Sequence, residues 1–177
     1  MNNLIGSQLI HHAAIGRVAL NCTHLEDNLQ SVLWRLAGLD ARVGRCITQH
    51  MPFRSLCDAI ITVVNESPKY SHLLDEIKKL LKDCNDLRVK RNDTVHALWG
   101  IFLAPIGKED PDNPQVINAG TGEVTGMVIK ARGQLSLKIN HTTVFAIDKI
   151  SEEIIELNRR IADFATQNLP DLKAPNA

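Results

Sequence analysis

Three residues near the middle of the chain have side chains suited to anion chemistry: Arg91, Asn92 and His96. A guanidinium is a permanent cation with five N–H donors, which suits it to binding phosphate oxygens. Histidine is the side chain that exchanges a proton most readily near neutral pH. Because the three residues lie so close in sequence, one helix would carry them together, and they are the first candidates for a functional site.

The helix predicted over residues 71–98 places the arginine on its apolar side. This apolar stripe consists of Ile77, Leu80, Leu81, Cys84, Leu87, Val95 and Leu98. At about 100° per residue, Arg91 falls near the centre of the stripe, Asn92 on its shoulder and His96 at its edge. A buried cation without a partner costs several kcal/mol. The position of Arg91 therefore predicts an anionic or hydrogen-bonding partner, or a cleft where helices separate or two subunits meet.

Two further residues bear on the environment of Arg91. The alternative to a ligand site is an internal ion pair, for which Glu26, at the edge of the apolar stripe of the first helix, is the best carboxylate. Arg88 lies on the same stripe as Arg91 and either adds positive potential to a site or extends toward solvent. Residues 69–92 hold seven basic and four acidic side chains, which mildly favours a phosphate ligand. Both interpretations of Arg91 stay open.

Other site chemistries lack the sequence spacing that they require. The chain has no Glu-x-x-His pair for a di-iron bundle and no second cysteine or histidine pair at zinc spacing. It also has no Gly-rich phosphate loop and no GxSxG nucleophile motif. The four cysteines occur singly, which favours reduced thiols. We therefore expect no metal and no cofactor.

Composition limits the class of protein. A chain of 177 residues with zero formal net charge does not carry the broad basic surface of a protein that coats nucleic acid. An aromatic content of 4% argues against a base-stacking platform. The N-terminus lacks the basic region of a signal peptide, and no apolar run reaches the length of a membrane span. We expect a cytoplasmic protein without a membrane partner.

Apolar periodicity organises the chain into helices and one β segment. Alternation over EVTGMVIKA and QLSLKIN, with ARGQ between them, predicts two antiparallel strands. The expected fold is mainly α: a four- to five-helix bundle in a single domain over residues 1–177, with a small antiparallel β-hairpin inserted before the last helix. The insertion covers about residues 100–143, and the tail at about 169–177 is expected to fray. Helices are predicted at residues 7–37, 40–50, 55–65, 71–98 and 148–168.

An arginine followed by a polar residue and, five positions after the arginine, by a histidine resembles the R-x4-H signature of the HEPN superfamily. The resemblance covers residues 7–98 and the closing helix, and it leaves the β insertion unmatched. It implies a HEPN-like helical bundle with the motif on a late long helix. Many HEPN proteins are metal-independent ribonucleases of toxin–antitoxin and antiviral systems, whereas others have lost catalysis and serve as interaction domains.

The resemblance assigns the three motif residues roles in RNA cleavage. His96 would take the 2′-OH proton, Arg91 would stabilise charge on the phosphoryl oxygens, and Asn92 would orient the phosphate or fix the histidine tautomer. Helix geometry separates Arg91 from His96 by about 140° in azimuth and about 7.5 Å in rise, so we expect them not to act as neighbours within one chain. A two-fold axis would bring two copies of each into one cleft, which predicts a homodimer.

The predicted function is therefore a metal-independent endoribonuclease with RNA as its substrate. A toxin or antiviral role would add an antitoxin or a defence-system protein as a partner. The alternative is a catalytically inactive helical dimer that binds RNA or protein. Lys130 and Arg132 on the predicted hairpin would contact RNA beside His96, although the hairpin is equally suited to protecting a sheet edge or supporting the dimer.

Overall fold

Helices form most of the structure, a computed structural model that describes residues 2–96, 98–100, 123–132 and 134–172. The prediction of a mainly helical fold is confirmed. The helical elements among the described residues are α1 (Asn2–Ala37), α2 (Ala41–Thr48), α3 (Phe53–Glu66), a 3-10 turn (Ser71–Leu73), α4 (Leu74–Val95) and α5 (Val144–Asn168). Within this part of the chain, no helix has the length and apolar character needed to cross a lipid bilayer.

The first helix ends where the sequence places a glycine. Gly38 has a φ of 67°, a left-handed conformation that glycine adopts at little steric cost. The N–H groups of Gly38 and Leu39 donate to carbonyls of the last turn of α1 in the Schellman pattern. The carboxylate of Asp40 then accepts from the N–H groups of Arg42 and Val43 and so caps α2. A short turn held by these hydrogen bonds therefore joins α1 to α2.

The helix that carries the candidate site ends earlier than its apolar pattern predicts. α4 stops at Val95, whereas the predicted helix continues to residue 98. The structure places Leu98 in a strand opposite Met127, so the backbone groups of that strand pair across strands and not along a helix. This difference puts His96 in the turn that follows α4.

Between α4 and α5 the described residues form an antiparallel sheet with the strand order β1-β2-β3. The strands are β1 (Leu98–Gly100), β2 (Glu123–Arg132) and β3 (Gln134–Thr143). β2 pairs with β3 from Glu123 opposite Thr143 to Arg132 opposite Gln134. The rest of the insertion lies outside the described residues.

The chain divides into two compact units. Unit 1 comprises Met1–Leu20 and Arg88–Glu152, and unit 2 comprises Asn21–Leu87 and Glu153–Ala177. The boundaries fall within α1, α4 and α5, so each of these helices supplies residues to both units. The single-domain organisation stays a prediction. Buried apolar side chains include Ala14, Val18 and Ile147 in unit 1, and Leu25, Leu29, Leu56, Ile60, Ile77, Leu157 and Ile161 in unit 2.

The apolar pattern of the C-terminal helix predicts that Ile154, Ile155 and Leu157 lie on one apolar side. In the structure Ile154 and Leu157 are buried, whereas Ile155 is 54% exposed. Ile155 differs in azimuth by about 100° from Ile154 and by about 200° from Leu157, so its side chain leaves the helix away from the face that these two residues share. After α5, Leu169 is buried, and the predicted fraying does not begin at this residue. Residues 173–177 of the predicted frayed tail lie outside the described residues.

Candidate functional site

The candidate residues lie at the C-terminal end of α4, in unit 1. Arg91 and Asn92 are half-buried and His96 is exposed, while Thr94 between them is buried. Buried positions on α4 recur at Cys84, Leu87 and Thr94, and Arg91 falls on the same face at the intervening helical step. The predicted placement of a guanidinium on the buried side of this helix is therefore confirmed, whereas His96, predicted at the edge of the helical stripe, is exposed in the turn that follows α4.

One nitrogen of Arg91 links the three candidate residues. Nη1 of Arg91 donates a hydrogen bond to Oδ1 of Asn92 at 2.9 Å. The same Nη1 lies 3.4 Å from Nε2 of His96. Nε of Arg91 is buried and has no hydrogen-bond partner among the described residues. The guanidinium is thus oriented by an amide on α4 and lies beside an imidazole in the turn that follows this helix.

The prediction that Arg91 and His96 would not be neighbours within one chain is wrong. The azimuth of about 140° describes where the two side chains leave the helix, and the long arginine side chain spans that separation. The backbone N–H of His96 donates to the carbonyl of Asn92 at 3.1 Å, so the histidine continues the helical path for one residue beyond Val95. A single chain therefore brings a cation and an imidazole together without a second copy.

The positive charge of Arg91 has no carboxylate partner in the part of the chain that the structure describes. Other arginines do have one: Nη2 of Arg17 lies 2.6 Å from Asp148, and Nη2 of Arg160 lies 2.9 Å from Asp83. Both of those pairs are partly open to solvent. A half-buried guanidinium that is left with an amide and an imidazole as neighbours is suited to receive an anion from outside the chain.

The two supporting residues have different surroundings. Glu26 is exposed on α1, which excludes the role of buried counterion that the alternative interpretation gave it. Exposure is the expected state of a carboxylate at the edge of an apolar stripe, since water solvates the charge there. Arg88 is half-buried and belongs to unit 1, as Arg91 does.

The two candidate RNA contacts of the insertion can be placed only by their backbone. Lys130 and Arg132 both lie in β2, opposite Ser136 and Gln134 of β3. The structure describes the backbone of these two residues and not their side chains. Their contact with RNA stays a prediction.

Unit 2 contains a polar groove that our sequence interpretation missed. It has a volume of about 450 Å³ and is lined by Asn21, His24, Asp27, Asn28, Ile155 and Asn158. Nδ2 of Asn28 donates to Oδ1 of Asn158 at 2.9 Å, and Nδ2 of Asn158 donates to the carbonyl of Asn21 at 3.2 Å. The sequence signal was the pair of half-buried asparagines, Asn21 and Asn28, at helical spacing on α1. Because the Asn158 side chain of α5 bonds to the side chain of Asn28 and to the backbone carbonyl of Asn21, these contacts hold α1 against α5 within this unit.

Two buried titratable groups have perturbed pKa values for reasons of burial. Desolvation lowers the pKa of His11, and the neighbouring His12 lowers it further. Desolvation likewise raises the pKa of the Cys84 thiol to about 12. Such a thiol stays protonated and unreactive at neutral pH. We therefore assign both groups to packing.

Comparison of the chain with family models, with curated proteins and with solved structures found no match.

Proposed function

We propose that this protein is a metal-independent endoribonuclease of HEPN type whose site is formed by Arg91, Asn92 and His96. The observation that supports the proposal is the 3.4 Å separation of Arg91 Nη1 from His96 Nε2, together with the lack of a carboxylate partner for Arg91 among the described residues. A cation for the phosphate and a base for the 2′-OH would then lie side by side. These are the two groups that cleavage by the RNA's own hydroxyl requires.

The proposed reaction is a transesterification. His96 removes the proton of the 2′-OH as the 2′ oxygen forms a bond to phosphorus, and the bond from phosphorus to the 5′ oxygen breaks. The leaving 5′ oxygen takes up a proton, which water or the protonated imidazole supplies. Arg91 stabilises the negative charge that builds up on the non-bridging oxygens. The products are a 2′,3′-cyclic phosphate and a 5′-hydroxyl.

The test is cleavage of RNA by purified protein in the presence of EDTA. His96→Ala should reduce the rate by about 10²-fold to 10⁴-fold, the range for loss of a general base. His72→Ala is the matched control, because His72 is also exposed but belongs to unit 2. Cleavage that survives in His96→Ala would remove this histidine from the mechanism. RNA binding without cleavage by the wild type would favour the catalytically inactive binding module.

We also propose that the protein is a homodimer. Large apolar side chains of unit 1 are exposed, among them Leu9, Leu20 and Phe145. The core of an interface between identical subunits is enriched in such apolar side chains. Sedimentation equilibrium should give about twice the chain mass of 19.6 kDa. A monomer would contradict this part of the proposal and would leave the endoribonuclease assignment standing.

Mixing single variants tests whether each site uses one chain or two. Because Arg91 and His96 lie together within one chain, we expect mixed Arg91→Ala and His96→Ala proteins to show no recovery of cleavage. Recovery would indicate that the arginine of one protomer works with the histidine of its partner.

The biological role that the resemblance implies is also part of the proposal: a toxin or antiviral effector, with an antitoxin or a defence-system protein as its partner. Induced expression of the wild-type chain in a bacterial host should then arrest growth through RNA cleavage. Expression of His96→Ala should not. Equal growth in both cases would argue against a toxin.

A further inference from the structure

The contacts of Arg91 restrict the state of the histidine beside it. A guanidinium nitrogen can donate hydrogen bonds but cannot accept them. If Nη1 of Arg91 bonds to Nε2 of His96, that ring nitrogen must be the acceptor and carry no proton. In the neutral imidazole the proton must then lie on Nδ1. The neutral histidine side chain in water prefers the opposite tautomer, with the proton on Nε2.

The second contact of the same nitrogen explains how this arrangement is held. Nη1 carries two hydrogens, and Oδ1 of Asn92 accepts one of them at 2.9 Å. Because the guanidinium is planar, that bond fixes the direction of the other hydrogen, toward Nε2 of His96. The amide therefore acts on the imidazole through the arginine and does not touch it.

We propose that Asn92 is a positioning residue that holds His96, through Arg91, as the Nδ1–H tautomer with an unprotonated Nε2. The catalytic meaning of this relay depends on the proposed endoribonuclease function. In that function, a phosphate that binds Arg91 competes for the hydrogen on Nη1, and the lone pair of Nε2 then becomes available to the 2′-OH. Of the two roles that the sequence suggested for Asn92, this is the second, and the structure supplies its route: the amide acts through Nη1 of Arg91 and touches neither the phosphate nor the imidazole.

The experiment reads the tautomer directly. Full-length protein with ¹⁵N-labelled histidine is measured by long-range ¹H–¹⁵N correlation at about pH 9, above the ordinary titration range of histidine. We expect the wild type to show an unprotonated Nε2 and a protonated Nδ1 at His96. Asn92→Ala and Arg91→Ala should move His96 toward the Nε2–H form. Exposed His72 in the same spectra is the internal control and should not change.

A conservative variant separates positioning from general damage. Asn92→Asp keeps an oxygen acceptor for Nη1, so it should preserve the Nδ1–H tautomer. In cleavage assays Asn92→Ala should lower kcat by about tenfold or more with little change in KM, as expected for a group that orients a catalytic histidine. Asn92→Asp should restore kcat relative to Asn92→Ala but raise KM, because its carboxylate pairs with Arg91 and competes with the phosphate of RNA.

The outcomes separate this proposal from the proposed function. Wild-type protein that cleaves RNA but holds His96 as Nε2–H would overturn the relay alone. A tautomer that is unchanged in Asn92→Ala would likewise remove Asn92 from it. Wild-type protein that shows the Nδ1–H tautomer but fails to cleave RNA would overturn the endoribonuclease and leave the tautomer assignment standing without a catalytic role.

Discussion

Each unit contains a polar cluster, around Trp34 in unit 2 and around Arg91 in unit 1, and the two differ in charge and in burial. In unit 2, Nε1 of Trp34 donates to the hydroxyl of Thr48, which lies within hydrogen-bond distance of Gln30 Oε1 and the Gly44 carbonyl. Every group in that cluster is neutral, and Trp34 and Thr48 are buried. In unit 1, the cluster around Arg91 is half-buried and carries a charge that no carboxylate among the described residues balances.

The difference separates a structural polar cluster from a candidate site. A closed neutral network gains stability because each donor finds an acceptor inside the protein. An open cluster with an uncompensated cation adds little to the stability of the fold until an anion binds to it. We therefore expect substitutions in the Trp34 cluster to change the free energy of unfolding, and substitutions in the Arg91 cluster to change binding and catalysis.

The largest effect on stability should come from Gly44→Ala. A Cβ at this position would lie 2.5 Å from Cγ of the buried Trp34, so the indole or the helix must shift. Overpacking of this kind destabilises by about 1–3 kcal/mol. Urea unfolding should show a lower midpoint with an unchanged slope.

Gly16→Ala is the matched control, because a Cβ there meets no atom within 4 Å in the middle of α1. It should stabilise the protein by about 0.5–1 kcal/mol through helix propensity. A Gly44→Ala variant as stable as the wild type would mean that α2 does not pack on Trp34 as described.

Thr48→Val tests the hydrogen bonds of the Trp34 cluster. The substitution keeps the shape of the side chain but removes the hydroxyl that accepts from Trp34, and a buried unsatisfied donor costs about 1–3 kcal/mol. Asn92→Ala should cost less, since Arg91 and Asn92 are only half-buried and water can replace the lost bond. Equal losses of unfolding free energy for the two variants would contradict the conclusion that the Trp34 cluster stabilises the fold more than the Arg91 cluster does.

His11 shows that unit 1 also contains a buried polar side chain, and it predicts a pH dependence. Burial lowers the pKa of His11 below its ordinary value of 6.5, so the unfolded chain binds the proton more readily than the folded one. The stabilising contribution is complete above pH 6.5 and is lost as the pH falls from 6.5 toward the lowered pKa. The free energy of unfolding cannot change by more than about 1.4 kcal/mol per pH unit through the titration of one group.

This prediction can be measured by urea unfolding at several pH values between about 8 and 5. His11→Leu should flatten the decline in stability on the acid side. His12→Leu removes an exposed neighbour and should leave most of the decline in place. An unchanged slope in His11→Leu would show that another group titrates.

The smallest effect should come from Arg160→Ala. This arginine pairs with Asp83 at 2.9 Å, but both side chains are more than one-third exposed. Ion pairs of this kind contribute about 0.2–1 kcal/mol, so the unfolding midpoint should move little. RNA cleavage should stay at the wild-type rate. A strong loss of cleavage would place the functional cations outside the Arg91 cluster.

Sequence periodicity was sufficient for the number of long helices and for the position of Arg91, although α1 begins at Asn2 and α5 at Val144, about five and four residues before the predicted starts. The glycine at 38 and the aspartate at 40 marked the end of α1 and the start of α2, because both act through local backbone geometry. The end of α4 was predicted three residues too late. Leu98 fits the apolar stripe of a helix, and only its pairing with Met127 in a distant strand shows that it belongs to β1.

The sequence by itself determined which residues could form the candidate site. Residue types and the helical period are local properties, and they sufficed to place Arg91 and Asn92 on α4, whereas His96 lies in the turn that follows this helix. The tertiary structure decided the contact between Arg91 and His96, the exposure of Glu26 and the packing of Gly44 against Trp34. Each of these depends on side-chain conformation or on contacts between helices, because a helical wheel fixes directions at the backbone but not where a long side chain ends.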